Sequence, residues 1–194
     1  MKINIIDNSV ERIISSHAFE NCSSLSEIPI YSRDIGVAAF KNCTNLTTLI
    51  FSDADLKSIT INHDAFYGCS GLNNIDFGSE YYSSELTIDK NAFYGCNSLT
   101  ELNFPRSSSQ LKQSSSQAGP IFVNCNIKKL AAPEYFVRGD YISGKENLEE
   151  LVITGLVDQS KPYELSGDVF YGMTSLKKVS LPDFINIIKA GTFN

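Results

Sequence analysis

Five cysteines recur at one position of a repeated motif, and their spacing limits the chemistry that they can perform. Cys22, Cys43, Cys69, Cys96 and Cys125 each follow an aromatic residue by three positions, as in DAFYGC and NAFYGC. A zinc site needs four ligands at one point, whereas no CxxC pair brings two of these thiols together. A catalytic thiol needs a neighbouring base, and both histidines lie in the turn just before an AF pair. The spacing therefore favours a structural role.

A disulfide ladder is the other chemical alternative. Neighbouring parallel strands lie about 4.8 Å apart, which falls within the Cα separation of about 4.4–6.8 Å that a disulfide allows. Equivalent side chains of stacked coils point the same way, however, and this orientation is poor for a bridge. Met173 also takes the cysteine position in a later copy, and Met shares with Cys a soft, space-filling character. We predict buried, free thiols.

Other catalytic or metal-binding motifs are weak. His63 and Asp64 are neighbours, but adjacent side chains in a turn usually diverge, so no catalytic dyad is predicted. Asp53 and Asp55 lack the rest of a calcium-binding loop. The sequence contains no P-loop, GxGxxG, GxSxG or HExxH pattern. We predict no catalytic residue, no cofactor and no metal.

Two short recognition motifs have simpler explanations. Residues 138–140 spell Arg-Gly-Asp, the integrin-type tripeptide, for which chance is the better explanation. Three Asn-x-Ser/Thr sequons begin at Asn21, Asn42 and Asn45. They fall in the packed part of the repeat, so we interpret them as repeat letters rather than glycosylation sites.

Composition excludes several classes of protein. The 194 residues carry a net charge of −6, whereas a nucleic-acid binder normally has a basic face. No apolar run approaches the roughly 18 residues of a membrane span. The N-terminal letters MKINIIDNSVERII are broken by Asn and Asp and do not form a signal peptide. We predict no nucleic-acid partner and no membrane insertion by this segment.

The AF–C motif is part of a longer repeat. Aligned on the aromatic, the copies include HAFENCSSLSEIPI from residue 17, DAFYGCSGLNNIDF from residue 64 and NAFYGCNSLTELNF from residue 91. The aligned positions are 19, 40, 66, 93, 122, 142, 170 and 193, with Ile142 in the Phe position. Such spacing, 20 to 29 residues, is that of leucine-rich solenoids. We predict one domain over residues 1–194, with about seven repeats, that starts and ends mid-repeat.

The LxxLxL part of each repeat predicts a short strand. Its apolar letters alternate with polar ones and therefore face the interior. Since one repeat cannot bury its apolar face alone, stacking must bury it. A second apolar pair before each AF, such as Ile59-x-Ile61 or Leu86-x-Ile88, is predicted to line the opposite wall. The inward residues of three consecutive strands are Leu46, Leu49 and Phe51, then Leu72, Ile75 and Phe77, then Leu99, Leu102 and Phe104.

The pattern AFxxCxxLxxLxF resembles the BspA-like class of bacterial leucine-rich repeats over nearly the whole chain. The resemblance implies an α/β repeat solenoid, a right-handed horseshoe with a parallel β-sheet on its concave side. Short strands and turns, with little helix, are expected on the convex side. The pattern departs from the family at residues 120–133, which are shortened, and at residues 135–145, which lack AF. Residues 106–119, rich in Ser and Gln, have little to bury and are predicted to form a mobile surface loop, with a binding loop as the alternative.

The outward letters of the predicted strands form the candidate ligand-binding surface. The last three strands present Lys-Lys, Glu-Glu and Lys-Lys, so parallel pairing places Glu149 and Glu150 between two lysine rows. The simpler interpretation is a self-neutralising ladder; the alternative is a docking surface whose charges choose the partner. The candidates are Asn73, Asn74, Asp76, Thr100, Glu101, Asn103, Lys128, Lys129, Glu149, Glu150, Lys177 and Lys178.

These features predict a non-enzymatic protein-recognition module that binds through its concave sheet face. Seven strands at the usual spacing give a face of about 30 Å. Resemblance to BspA-like proteins implies a cell-surface or secreted adhesion domain, with a host or extracellular-matrix protein as its ligand. Two alternatives stay open: an intracellular scaffold or inhibitor, and the substrate-recognition part of a larger enzyme.

Overall fold

The chain folds into stacked coils built almost entirely from short strands and turns. This computed structural model describes residues 13–51, 58–77, 85–104, 111–154, 164–165, 169–183 and 185–193. Within these ranges, the strands in chain order are β1 (Ile13–Ile14), β2 (Glu27–Ile30), β3 (Asp34–Ile35), β4 (Thr48–Phe51), β5 (Ser58–Ile61), β6 (Asn74–Asp76), β7 (Glu85–Ile88), β8 (Glu101–Asn103), β9 (Leu111–Lys112), β10 (Lys129–Ala132), β11 (Glu150–Ile153), β12 (Glu164–Leu165), β13 (Lys178–Ser180) and β14 (Ile187–Ile188).

The strands form two walls, and every strand pair is parallel. The front sheets consist of β2-β4-β6 and of β8-β10-β11-β13, which are the predicted LxxLxL strands. The back sheets consist of β1-β3-β5-β7-β9 and of β12-β14, which are the strands before each AF pair. Equivalent letters of successive repeats are paired, for example Leu49 with Ile75 and Leu130 with Leu151. The predicted parallel repeat solenoid is confirmed.

Strand alternation directs one row of side chains from each wall into a shared interior. On the front wall, Leu49 is 0% exposed and Phe51 is 1% exposed. On the back wall, the corresponding values are 1% for Ile59 and 0% for Ile61. The intervening residues are half-buried or exposed, as the period of two requires. All the inward residues predicted from the three consecutive LxxLxL segments are buried.

Phenylalanine rings stack along the length of the solenoid. The AF residues Phe19, Phe40, Phe66, Phe93 and Phe122 form one row, with ring centroids 5.0–5.2 Å apart and planes within 7°. A second row joins the strand-end residues at positions 51, 77 and 104, with centroids 5.3–5.4 Å apart. Because parallel strands are also about 4.8 Å apart, ring stacking and strand pairing impose the same rise per coil.

The turn around each phenylalanine depends on residues in the left-handed conformation. The residue two positions after the ring has φ between 55° and 73° in five coils, where it is Asn or Gly. These two residue types adopt that conformation most readily. The geometry also forms hydrogen bonds between coils: Asn21 N donates to Lys41 O at 2.7 Å, and Gly68 N donates to Tyr94 O at 2.7 Å. The left-handed backbone therefore favours the Asn or Gly that immediately precedes each cysteine.

The region where the repeat degenerates contains the one α-helix of the described ranges. Helix α1 (Glu134–Arg138) inserts Phe136 beside both phenylalanine rows, 4.2 Å from the ring centroid of Phe104. A 3-10 helix follows at Lys145–Asn147. Between the two, Ile142 is 6% exposed and forms a parallel bridge with Phe122. Its predicted place in the phenylalanine position is confirmed.

The Ser/Gln-rich segment differs from the sequence expectation in its second half. Residues 105–110 lie outside the described ranges, but β9 pairs with β7 in the back sheet. Gln113 Nε2 donates to Ile88 O at 3.2 Å, and the backbone N–H of Ser114 donates to buried Asp89 at 2.8 Å. Side-chain hydrogen bonds therefore hold this segment against the preceding coil, although it has few apolar groups to bury.

Replacing a phenylalanine of the row by alanine should destabilise the fold more in the middle of the row than at its first described ring. Phe66 and Phe93 are 0% exposed and have rings on both sides, whereas Phe19 is half-buried. We expect Phe66→Ala or Phe93→Ala to lower the free energy of unfolding by about 3–5 kcal/mol, and Phe19→Ala to lower it less. Chemical denaturation of the three variants measures this order, and a larger loss for Phe19→Ala would contradict it.

Candidate functional site

The twelve predicted surface residues lie together on the front sheets. Each belongs to a front strand or immediately precedes one, and ten of the twelve are exposed. Glu149 and Glu150 are half-buried, and lysines on both sides pair with their carboxylates. The strands hold these side chains at fixed spacing, since their alternate residues are fixed in the interior. The result is one outward surface, here called the front face.

The front face continues beyond the residues that sequence reasoning selected. In β2 and β4 its outward positions include Pro29 and Ile50, which are half-buried, and in β11 they include Val152, which is 40% exposed. Pro29 is paired in register with Ile50, Ile50 with Asp76, and Val152 with Ser180. The front face therefore combines polar and charged side chains with a few apolar ones in β2, β4 and β11. Extending the strand alternation to the first two repeats would have found the first two of these residues.

The predicted charge ladder is present with the predicted neighbours. Glu149 lies 3.6 Å from Lys128 Nζ and 2.7 Å from Lys177 Nζ. Glu150 repeats the arrangement one residue later, 3.9 Å from Lys129 and 3.6 Å from Lys178. The hydrogen bond from Lys177, followed by the lysine charges, lowers the pKa of Glu149. Glu149 is therefore ionised at neutral pH, and it lies between two rows of lysine.

The cysteines have a structural role that differs along the stack. Cys43, Cys69 and Cys96 are 0% exposed, Cys125 is half-buried and Cys22 is exposed; all five are free. The prediction of free thiols is confirmed. The prediction of burial is confirmed for Cys43, Cys69 and Cys96, met only in part by Cys125, and wrong for Cys22. That residue belongs to the first complete turn in the described ranges, and its thiol forms no hydrogen bond there.

Each of the other four thiols bonds to the coil before it. The Sγ of Cys43 donates to Phe19 O at 3.1 Å, and the Sγ of Cys69 donates to Phe40 O at 3.1 Å. Cys96 and Cys125 repeat this contact with the next two phenylalanine carbonyls at 3.5 and 3.2 Å. These hydrogen bonds could not be predicted from the residue pattern, because their acceptors are backbone atoms. They explain why a weak donor recurs at this position.

Burial makes the inner thiols poor nucleophiles. It raises the pKa of Cys43 to about 11 and also raises the pKa of Cys69. Contact with the Cys125 thiol, together with burial, raises the pKa of Cys96. Because the thiolate is the reactive form, these positions suit packing rather than catalysis.

The remaining motifs do not assemble into a metal or catalytic cluster in the described ranges. No group of three His, Cys, Asp or Glu residues is placed to hold a metal ion there, and Asp53 and Asp55 lie outside those ranges. His63 Nδ1 lies 3.5 Å from Asp64 Oδ2. The expectation that these two side chains diverge is therefore wrong. Both lie in the turn before Phe66.

The two short recognition motifs are partly engaged within the fold. Arg138 lies at the end of α1, where its guanidinium pairs with Glu134 at 2.7 Å. Among the sequons, Asn42 Nδ2 donates to Asn21 Oδ1 at 3.0 Å, so the asparagines of two sequons are hydrogen-bonded to each other. Asn45 is exposed.

Sequence reasoning missed a tyrosine stack on the turns. The rings of Tyr67 and Tyr94 are 4.5 Å apart and within 2° of parallel. Lys41 Nζ lies 5.0 Å from the Tyr67 ring centroid, and Asn124 Nδ2 donates to the Tyr94 hydroxyl at 2.9 Å. The letters FYG, repeated in consecutive coils, could have predicted this stack, because stacked coils bring equivalent residues together.

Comparison with known proteins agrees with the stacked architecture. The BspA-type leucine-rich repeat region matches the sequence in six copies, across residues 2–120 and 60–194. The chain belongs to the BspA-type leucine-rich repeat family. This family generally mediates protein recognition, its domains are typically non-enzymatic, and it is generally associated with bacterial surfaces.

Solved structures similar to this BspA-type chain are also leucine-rich repeat proteins. A T. pallidum leucine-rich repeat protein is 24% identical, with a TM-score of 0.48, and the match covers 94% of this chain and 69% of the other. A leucine-rich repeat protein from Bacteroides ovatus ATCC 8483 is 16% identical, with a TM-score of 0.27, and the match covers 96% and 70%. No curated protein gives a significant match. In the described ranges, no helix is long and apolar enough to cross a membrane.

Thiol reactivity should separate the cysteines of this BspA-type chain by position. At pH 8 a thiol with the pKa given for Cys43 is only about 0.1% thiolate. We expect Cys22 to react with a disulfide reagent first and Cys125 more slowly. The three buried thiols should react only as the chain unfolds.

Time-resolved titration with the reagent measures the number of thiols in each phase. The variant Cys22→Ser is the matched control and should lose the fast phase, and all five thiols should react in denaturant. Fast reaction of more than two thiols, or a fast phase that survives Cys22→Ser, would contradict the assignment.

Proposed function

We propose that this chain is a cell-surface or secreted adhesion module that binds an extracellular protein through its front face. The observation that carries the proposal is the front face itself, a set of outward side chains held by the parallel strands of the two front sheets. Its mixture of exposed polar residues with a few apolar ones is within the composition that protein-binding surfaces generally have.

Rigidity supports this function. Residues of the front face alternate with buried ones, such as Leu102 at 1% and Leu130 at 2% exposed. The outward side chains therefore stand on a backbone that cannot shift without opening the core. A surface that is ordered before binding loses little conformational entropy when it binds, so a shallow face of this kind can hold a folded protein.

The charge ladder supports selectivity in binding. Four lysines and two glutamates occupy three adjacent strands, with each carboxylate between two ammonium groups. Exposed ion pairs add only about 0–1 kcal/mol each to stability. Fixed alternating charge does restrict which partner surface can approach, because juxtaposed like charges are unfavourable. We propose that the ladder orients the partner.

A surface location is proposed from the family rather than from the residues. BspA-type repeats are generally associated with bacterial surfaces, and proteins of a host or of the extracellular matrix are the partners that such a location offers. The front face does not depend on the location for its binding geometry. The experiment therefore tests the partner class and the binding face separately.

The test compares charge reversals on the two walls. Glu150→Lys places a third lysine between Lys129 and Lys178 on the front sheets. Glu85→Lys is the matched control on the back sheets, where Glu85 pairs with Lys112 at 2.7 Å. Each variant replaces one partly exposed carboxylate and should lower stability by at most about 1 kcal/mol.

Binding to a panel of purified extracellular-matrix proteins is measured on a biosensor. We expect at least one protein to bind, with Glu150→Lys weakening that binding at least ten-fold and Glu85→Lys leaving it unchanged. If no matrix protein binds, the adhesion proposal fails. If both variants weaken binding equally, the front face is not the binding surface.

A further inference from the structure

The break in the repeat presents a charged tripeptide at the surface. Arg138 is the last residue of α1, and Asp140 lies in the turn that follows the helix. Both residues are exposed, whereas Phe136 and Val137, just before them, are each 1% exposed. The fold therefore buries the helix residues beside the tripeptide Arg-Gly-Asp and leaves its two opposite charges accessible to solvent.

Hydrogen bonds hold the backbone of this turn in place. The backbone N–H of Gly139 donates to Tyr135 O at 3.0 Å. Lys145 Nζ donates to Val137 O and to Gly139 O, at 2.8 Å in each case. Burial lowers the pKa of Lys145, and the charge of Asp140 opposes that shift. The tripeptide is thus ordered in the unbound protein, so its conformational entropy falls little when a partner binds it.

Packing explains why the middle residue is glycine. Gly139 has an extended backbone, with φ −67° and ψ 159°, and a Cβ atom at this position would overlap the ring of Tyr141. That ring stacks on buried Phe136, with centroids 5.1 Å apart, which holds it in this position. No side chain therefore projects between the charged groups of residues 138 and 140.

The two charged side chains differ in how the fold engages them. In Arg138, Nε and Nη2 both lie 2.7 Å from Glu134 Oε1, one helical turn earlier. Ion pairs of this kind on a helix surface are weak, because water and salt compete with them. The carboxylate of Asp140 forms no ion pair with any residue in the described ranges. A partner of the tripeptide must therefore replace Glu134 at the guanidinium, and it finds the carboxylate without a competing ion pair.

We propose that residues 138–140 form a second binding site, which a cell-surface receptor of the integrin type recognises. The carboxylate of Asp140 supplies an oxygen ligand to a divalent cation that the receptor holds, since carboxylates are preferred ligands of such cations. The guanidinium of Arg138 pairs with a carboxylate of the receptor through two hydrogen bonds. Three letters alone have a chance explanation; two accessible opposite charges on a fixed turn make the tripeptide available to such a receptor.

This inference rests on the proposed adhesion role and adds a receptor as the partner of a different surface. The front face is tested with matrix proteins, whereas residues 138–140 are tested with a purified integrin and without any matrix protein. Glu150→Lys, which changes the front face, should leave integrin binding unchanged. The two proposals therefore fail in different experiments.

Binding to an immobilised integrin ectodomain that recognises Arg-Gly-Asp peptides tests the site. In manganese-containing buffer we expect saturable binding of the folded protein, which EDTA abolishes and a cyclic Arg-Gly-Asp peptide inhibits. Asp140→Glu keeps the charge but moves the carboxylate by one methylene group, and it should weaken binding at least ten-fold. Glu146→Asp is the matched control, because it changes an exposed carboxylate of the 3-10 helix by the same one group, and it should leave binding unchanged.

A second variant tests the part that Arg138 plays. Glu134→Gln removes the carboxylate that pairs with the guanidinium, so it should strengthen binding about two- to five-fold. Chemical denaturation measures whether each variant stays folded, and the EDTA and peptide measurements need no variant. The proposal is overturned if the protein does not bind, if binding survives EDTA or Asp140→Glu, or if Glu134→Gln leaves binding unchanged or weaker.

Discussion

The parallel register between successive coils is the constraint on which the rest of the structure depends. Strand pairing holds equivalent residues one strand spacing apart on both walls, and the phenylalanine rings stack at nearly the same distance. The same rise brings each inner cysteine thiol to a carbonyl of the preceding coil. It also sets the glutamate rows between lysine rows. Core, turns and front face therefore share one repeat distance.

Much of this arrangement could be predicted because a repeat converts sequence alignment into spatial contact. Once Phe66 and Phe93 were aligned, stacking placed their rings together, and the same reasoning paired Glu149 with lysines about 20 to 28 residues away. The alternation of strand letters separated the front face from the interior. Ile142 could be assigned to the phenylalanine position although it is a different residue type.

The structure differs from the prediction where backbone geometry or position in the stack determines burial and conformation. Cys22 aligns with the buried cysteines but is exposed, because burial depends on the coils beside a residue as well as on its place in the repeat. The Asn and Gly before each cysteine reflect a left-handed backbone, which a hydrophobic pattern does not contain. Helix α1 and strand β9 lie where the repeat is irregular, so alignment had no template for Phe136 or Ser114.

Double-mutant cycles within the phenylalanine row test the stacking account most directly. Phe→Leu substitutions at positions 66 and 93, which contact each other, are compared with substitutions at positions 40 and 93, which Phe66 separates. Chemical denaturation gives the coupling free energy of each pair. The account predicts a coupling of about 0.5–1.5 kcal/mol for the stacked pair and additivity within about 0.5 kcal/mol for the separated pair. Equal coupling in the two cycles would contradict nearest-neighbour stacking as the basis of the fold.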